Sequence, residues 1–402
     1  MLKIDKFNSG NKKKIFYIFV FPLLFAISLQ ILNIFNTHGD YLFFLEILDD
    51  YKKFSFFEVF SSYTDKSKDQ VVGYSSAEDL FRLLIFIIAK TNFNYNVLNF
   101  IITFFLFQSA ILTLYNKPFS NFILFLIIIS NFYLTSIGLA SIKNALALSF
   151  FFYSFYFYNK NNNYYFLIFY FLALSISIYV VFIYIFIAIL RFRDFLNFLK
   201  KFKILKILIL LLPIFLNIDL ALGKLVGYNN ANSDRQNKIL LLEKNLLQER
   251  LDSKENAHNL IKKVINFEFL TRNHSIYLFK ITLDFVEKRH STIIEKPIYI
   301  NFSIIDIIKF IIFNIIIYFF LNNNYKNFFF YIYVLLSFCF FLLIGFERQT
   351  LILYIILITT ISFFKKNDLQ IKHYIFIYFV SIYGIIKTIL LLFNLFIYNE
   401  VY

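Results

Sequence analysis

The sequence predicts an all-α integral membrane protein that crosses the bilayer about eleven times, within a range of about ten to twelve. Hydrophobic residues make up 59 % of the 402 residues, the mean hydropathy is +0.67, and only 16 % of residues are charged. A soluble core cannot use this much apolar side chain, and long apolar runs are typical of membrane-spanning helices. Apolar segments lie near residues 15–35, 97–115, 119–137, 143–158, 164–190, 204–222, 303–321, 328–345, 350–364 and 373–397.

The charges that flank the first segment predict its orientation. Lys12, Lys13 and Lys14 precede it, and basic residues favour the cytoplasmic side. The segment has about 20 apolar residues and no small-residue cleavage site after it, so we expect a retained helix rather than a signal peptide. Residues 36–79 are acidic and are expected outside. The N-terminus is therefore expected in the cytoplasm.

Residues 164–190 are too long for one ordinary crossing. As a helix they would extend about 40 Å, against about 30 Å of hydrocarbon. A single crossing would also leave Arg191 and Arg193 outside, against the positive-inside rule. We therefore predict two short, packed half-spans that turn near Ser175 to Ser177.

Three regions follow from this topology: a transmembrane bundle over residues 1–222, a large external loop over 223–302, and a second bundle over 303–402. Leucine pairs among charged residues in LLLEKNLLQERLDSKENAHNLIKKVINF predict an amphipathic helix within the loop.

Several functional classes lose support. The formal charge of +15 is spread over short connections, which indicates membrane lipids rather than nucleic acid as the partner. The single cysteine, Cys339, is expected to be a buried core thiol and excludes an intramolecular disulfide. Phosphate-binding glycine loops and an HExxH zinc motif are absent, and we expect no metal and no cofactor.

Three cations lie on the predicted outer side, where the positive-inside rule disfavours lysine and arginine. Lys143 begins a helix after the small residues 136–141, Arg82 begins a short apolar stretch, and Arg348 follows a glycine turn. Such residues pair with one another, line a wet cavity or bind a ligand. Carboxylates expected on the same side are Asp40, Glu78, Asp79 and Glu347. In the plain interpretation, these cations extend to the membrane interface or pair with the nearby carboxylates. In the functional interpretation, they bind an anionic ligand in the outer leaflet.

The order of these residues resembles the EpsG-like and Wzy-like polysaccharide polymerases of bacterial inner membranes. The motifs that carry the resemblance lie mostly in the first half: Gly39-Asp40-Tyr41, Glu78-Asp79-Leu80-Phe81-Arg82-Leu83-Leu84 and Ile142-Lys143-Asn144-Ala145-Leu146-Ala147. Phe346-Glu347-Arg348, in the second half, is a weaker match to the family. Lys143 stands where the family has arginine, and residues 175–182 lack the histidine often found there.

The resemblance implies an enzyme that joins repeat units carried on polyprenyl diphosphate, building O-antigen, capsule or exopolysaccharide. It implies that Lys143, Arg82 and Arg348 hold the diphosphate, with Tyr41 and Arg235 also contacting the lipid-linked glycan. Asp40, with Glu347 next, is the expected catalytic base. A chain-length regulator protein is a further partner that such an enzyme could bind.

Two other classes stay open. A glycosyltransferase that uses a polyprenyl monophosphate sugar would share the fold type, with Asp49-Asp50 or Glu78-Asp79 as its acidic pair. A lipid-linked oligosaccharide flippase or other transporter would be expected to show two related halves. Its main support is Asp306 and Lys309, which we interpret as an i, i+3 pair at a helix end.

Overall fold

A computed structural model gives the architecture of the chain. The structure describes residues 16–31, 48–49, 51–53, 55–57, 79–91, 93–115, 142–177, 179–200, 274–282, 295–321, 328–344, 349–362, 373–375, 377–379, 381–386 and 389. These residues are mainly helical. Two compact units divide the chain: Met1–Tyr184 with Ile358–Tyr402, and Ile185–Leu357. The predicted region boundaries at 222 and 302 stay a prediction.

The helices are α1 (Phe21–Ile31), α2 (Asp79–Thr91), α3 (Tyr95–Tyr115), α4 (Ile142–Asn159), α5 (Asn163–Ile176), α6 (Tyr179–Leu190), α7 (Phe192–Lys200), α8 (Ile304–Phe320), α9 (Phe328–Ile344) and α10 (Gln349–Ser362). A π-helical turn, Phe16–Val20, leads into α1. Pro22 has no backbone N–H to donate to the preceding turn, which accounts for the wider turn there.

One described helix, over Tyr95–Leu114, is both long and apolar enough to cross a membrane. Shorter apolar helices include Asn163–Ile176, Val180–Leu190 and Phe328–Phe341. The predicted spans over 119–137 and 204–222 lie outside the described residues. The predicted count of about eleven crossings therefore stays a prediction.

Helices α4 and α5 form an antiparallel hairpin in the first unit. Asn161 takes a left-handed conformation (φ 56°), which asparagine tolerates better than most residues, and the Asn162 side chain caps α5 by accepting from the Tyr165 amide. Along the hairpin Phe157 stacks on Phe169, with ring centroids 5.4 Å apart and planes 8° apart. Aromatic pairs of this kind contribute about 0.5–1.5 kcal/mol beyond area burial.

The chain reverses again at Ser177. Ser177 has an extended backbone (φ −145°, ψ 118°) that ends α5, and α6 begins at Tyr179. Tyr170 and Tyr184 are 14 positions apart, about 21 Å along a continuous helix, yet their ring centroids lie 4.8 Å apart. The predicted break into two short packed helices near Ser175 to Ser177 is therefore confirmed.

Helix α6 returns alongside α4. The Tyr184 hydroxyl lies 2.7 Å from the Ser154 hydroxyl, and its ring packs against Phe151 at 4.9 Å. Because α5 runs antiparallel to α4 and α6 reverses once more, α6 has the direction of α4. The three helices share a core in which the small residues Ala147 and Ala173 are fully buried.

The second unit contains a pair of antiparallel helices, α8 and α9. Phe310 near the start of α8 packs on Phe341 near the end of α9 at 5.0 Å, and Tyr318 packs on Phe330 at 5.0 Å. The end of α6 contacts α9, since the rings of Phe186 and Phe340 lie 5.3 Å apart. Ser303 caps α8 by accepting from the Asp306 amide, and Asp306 pairs with Lys309 at 3.0 Å as predicted.

The all-α prediction is wrong for part of the 223–302 loop. Strands β1 (His274–Thr282) and β2 (Glu295–Phe302) pair antiparallel, with an irregular register between Tyr277 and Phe279. Isoleucine, tyrosine and phenylalanine dominate both strands, and such residues favour a pleated conformation. Strand β2 lies against α9 and leads directly into the cap of α8. The predicted amphipathic helix over 240–267 lies outside the described residues.

Cys339 is exposed, so its prediction as a buried core thiol is wrong. Helix α9 buries Tyr333, Ser337 and Phe341 on one face, and Cys339 lies on the opposite face. An apolar run alone does not reveal which face of a helix packs, because the residues on both faces of α9 are equally apolar.

The reversal at Ser177 predicts a specific cross-link. In a Cys339→Ala background, Tyr170→Cys with Tyr184→Cys should be joined by a short bismaleimide reagent, because the two rings are in contact and cysteines at these positions lie within its reach. Tyr95→Cys with Ser109→Cys is the matched control: these residues have the same separation within continuous α3 and should not cross-link. Gel mobility under non-reducing conditions measures both. Equal yields in the two pairs would contradict the reversal.

Candidate functional site

Two of the predicted site residues, Arg82 and Lys143, belong to the described part of the chain, and both lie in the first unit. The other predicted site residues lie outside the described residues: Asp40, Tyr41, Arg235, Glu347 and Arg348. The predicted convergence of Arg82, Lys143 and Arg348 on one site therefore stays a prediction.

Arg82 is buried in the first turn of α2, with 2 % of its surface exposed. Phe81, Ile85, Ile88 and Ala89 are buried on the same helix, which packs against α5. The helix thus carries a guanidinium into the protein together with its apolar side chains. Removing a charge from water costs several kcal/mol, so a buried arginine is retained only where other groups stabilise it.

A short segment that includes Tyr51, Lys52 and Phe56, which we call the strap, lies on α2 beside Arg82. Tyr51 in the strap is 1 % exposed, and its ring lies 6.5 Å from that of Phe86, one helical turn after Arg82. Phe56 meets Phe86 edge-to-face at 5.7 Å. The Lys90 ammonium donates to the Lys52 carbonyl at 3.0 Å. These contacts fix the strap along about two turns of α2.

The strap places a phenol next to the Arg82 guanidinium. Burial raises the pKa of Tyr51, and a hydrogen bond with Arg82 together with the positive charge of Arg82 opposes this rise without cancelling it. Tyr51 is therefore neutral near pH 7 and keeps its proton. Asp49 differs, because the Lys52 ammonium, 2.7 Å away, lowers the pKa of this exposed carboxyl. Asp49 is thus a carboxylate already engaged by a lysine, which makes it a poor general base.

Lys143 is half-buried in the first turn of α4, and the chain reversal lies beside it. The Ser177 hydroxyl donates to Asn144 Oδ1 at 3.2 Å, which joins the α5–α6 turn to the residue that follows Lys143. Ala145 and Ala147 are fully buried, so the predicted close packing by small residues after Lys143 is confirmed for these two positions.

Arg82 and Lys143 both lie in the first turn of a helix, where a positive charge is unfavourable. The amino end of a helix carries a partial positive charge, so a cation in the first turn is disfavoured and an anion is favoured. Arg82 in α2 and Lys143 in α4 each add a full positive charge at such an end. Backbone N–H groups and a cation pointing to one place form a binding position for an anion such as a phosphate.

Sequence reasoning missed two features near these cations. Tyr51 carries no sequence signal that connects it to Arg82, since 31 positions separate them. A row of polar residues on α3 also reaches α4: the Tyr153 hydroxyl donates to Gln108 Oε1 at 2.6 Å, and the Thr113 hydroxyl donates to the Phe152 carbonyl at 2.9 Å. In an apolar sequence, buried glutamine and threonine are a usable signal for helix contacts.

Among the described residues, no three His, Cys, Asp or Glu side chains come together in a group that could hold a metal ion. Comparison of the chain with protein-family models, with curated proteins and with solved structures finds no match. The resemblance noted in the sequence therefore rests on the quoted motifs alone, and the function stands as a proposal.

The contact beside Lys143 predicts a stability effect. Ser177→Ala should lower the free energy of unfolding by about 0.6–1.5 kcal/mol, because Asn144 loses a donor in a partly buried position. Ser175→Ala is the control, since Ser175 is exposed and its hydroxyl bonds only the Phe171 carbonyl one turn back. Thermal unfolding of the detergent-solubilised protein measures both. Equal losses in the two variants would contradict a special role for Ser177.

Proposed function

We propose that the chain is a polytopic enzyme of the bacterial inner membrane that joins polyprenyl-diphosphate-linked repeat units at the outer face, as in O-antigen, capsule or exopolysaccharide synthesis. The observation that carries the proposal is the pair of cations, Arg82 and Lys143, each held at a helix amino end that itself favours an anion. The exposed apolar faces of the helices, the orientation that their charges favour, and the chemistry of the reaction give further support.

Exposed apolar stripes support membrane placement. On α8 the exposed isoleucines recur at helical spacing on one face: Ile304, Ile308, Ile311, Ile312 and Ile315. On α9, Leu335 is 63 % exposed and lies on the same face as Tyr331 and Phe328. Soluble proteins rarely expose contiguous apolar patches of this extent. A surrounding bilayer accounts for helices that are apolar on their exposed faces as well as their buried ones.

The charges that flank α4, α5 and α6 support an orientation for these three helices. Lys143 and the turn at Ser177 lie at one end of the α4–α5 hairpin, and Lys160 lies at the other. Helix α6 starts from the Ser177 end and is followed by Arg191 and Arg193. The positive-inside rule favours a cytoplasmic position for the end that follows α6. This supports an outer position for Lys143.

Contacts of the same basic segment support an orientation for α8 and α9. Phe192, at the start of basic α7, stacks on Phe329 at the start of α9 at 4.7 Å, so this end is assigned to the cytoplasm. The opposite end holds the carboxyl end of α9 and the amino end of α8, where the β1–β2 hairpin joins. This supports an outer position for the hairpin, as expected of the 223–302 loop.

The proposed reaction needs two kinds of group. The acceptor hydroxyl oxygen bonds to the anomeric carbon of the donor glycan, the bond from that carbon to the diphosphate oxygen breaks, and polyprenyl diphosphate leaves. Arg82, Lys143 and Arg348 would stabilise the departing anion, with Tyr41 and Arg235 contacting the lipid-linked glycan. The hydroxyl proton passes to a carboxylate, for which Asp40 and then Glu347 are proposed.

Complementation of a deletion strain tests the proposal. Loss of the gene should remove the long-chain polysaccharide ladder while a single repeat unit stays attached to its carrier. Wild type should restore the ladder. Lys143→Ala protein at normal abundance should restore less than about a tenth of it, because a charge-assisted contact to the leaving group contributes about 1.5–3 kcal/mol. Gel banding of the extracted polysaccharide is the measurement.

Lys160→Ala is the matched control, because Lys160 is an exposed lysine at the other end of the same hairpin. It should restore the ladder fully. An unchanged ladder in the deletion strain would contradict the polymerase, and loss of even the single unit would favour a flippase or an earlier step. Equal ladders from the Lys143 and Lys160 variants would remove Lys143 from the site.

A further inference from the structure

We propose that α7 is an interfacial helix that binds the headgroups of anionic phospholipids through Arg193 and Lys200. This inference rests on the proposed function, because it takes the chain to lie in a membrane. It assigns a ligand to a segment that the proposed reaction does not use. The phosphates of a lipid such as phosphatidylglycerol are the groups that the two side chains would contact.

The place of α7 in the chain puts it at a membrane surface. Helix α7 begins at Phe192, two positions after α6 ends at Leu190. Its nine residues extend about 14 Å, too short for a hydrocarbon core of about 30 Å. Phe192 stacks on Phe329 at the start of α9, where the exposed apolar stripe of α9 begins with Phe328. Helix α7 is therefore attached where the lipid-facing surface starts, which is the level of the headgroups.

Helix α7 is amphipathic, and its basic side chains share one exposed face. Arg193 and Lys200 are seven positions apart, about two helical turns, and Asn197 lies between them. All three are exposed, while Phe195 on the other side of the helix is partly buried. Leu196, at the edge of the basic face, is 38 % exposed. A short helix with a basic face and an apolar face is typical of segments that lie in the plane of the membrane interface.

The charge of this segment favours an anionic lipid as the occupant of the exposed face. Residues 191–206, RFRDFLNFLKKFKILK, contain six basic residues and one acidic residue, Asp194. Asp194 forms an ion pair with Arg191, and α7 has no other acidic residue to balance Arg193 and Lys200. Basic clusters of this size beside a membrane-spanning helix attract anionic headgroups through the surface potential. A zwitterionic lipid carries no net charge for them to bind.

A single tryptophan can report which lipids contact α7, because the chain contains none. Leu196→Trp places this reporter beside the basic face of the full chain, reconstituted in vesicles of equal parts phosphatidylglycerol and phosphatidylcholine. In each preparation one of the two lipids carries bromine on its acyl chains, which quenches tryptophan fluorescence on contact. Quenching by brominated phosphatidylglycerol should be about two- to fivefold stronger, the preference that one basic residue at an anionic surface supplies.

Charge variants in the Leu196→Trp background test the two named residues. Arg193→Gln with Lys200→Gln should bring the ratio of the two quenching constants close to one, because both exposed cations are removed. Lys52→Gln with Lys90→Gln is the matched control, since it removes two exposed lysines from the strap and α2. The control should keep the ratio unchanged. High salt should lower the ratio of the unmodified basic face, because it screens exposed charges.

A second reporter separates this inference from membrane placement itself. Leu335→Trp lies in the middle of α9, where the native side chain is 63 % exposed and the helix has no basic residue. Both brominated lipids should quench it equally.

Each outcome decides the inference. If both lipids quench the Leu335→Trp reporter while the Leu196→Trp reporter is quenched by neither or equally by both, the inference is overturned and the proposed function stands. A preference that survives Arg193→Gln with Lys200→Gln also overturns it. If no lipid quenches either reporter, the membrane placement fails, and the inference and the proposed function are overturned together.

Discussion

The reversal of the chain at Ser177 is the constraint on which the rest of the first unit depends. It turns a segment that is too long for one crossing into two short helices, and it returns α6 alongside α4 through Tyr184. The bond from Ser177 to Asn144 joins that turn to the start of α4, next to Lys143. Had α5 continued straight, Tyr184 would not return to Ser154 on α4. One extended residue therefore determines both the helix directions and the surroundings of a proposed ligand-binding lysine.

A second constraint is the burial of positive charge. Arg82 and Lys143 occupy first turns, where the helix dipole disfavours a cation, and Arg82 is also removed from water. Both cations interact with neighbouring groups of the protein. Under the proposed function, a bound anion would add to these interactions at helix ends that favour negative charge.

Helical character, the paired Asp306 and Lys309, and the break near Ser177 could be predicted from sequence, because each follows from local composition, spacing or length. The hairpin of β1 and β2 was missed, since its strands lie in a charged loop and pair across 12 intervening residues. The exposure of Cys339 was missed because every face of α9 is apolar. Tyr51 could not be connected to Arg82, because tertiary contacts across a long loop leave no periodic signal in one sequence.

The central claim is that the chain transfers glycan from a lipid diphosphate, and reconstitution tests it most directly. Purified full-length protein in nanodiscs would be supplied with a synthetic polyprenyl-diphosphate repeat unit, and the products would be measured by mass spectrometry. The account predicts oligomers of two or more repeats, with one polyprenyl diphosphate released for each new linkage. Elongation that consumes a polyprenyl monophosphate sugar instead, or intact substrate with correctly folded protein, would contradict it.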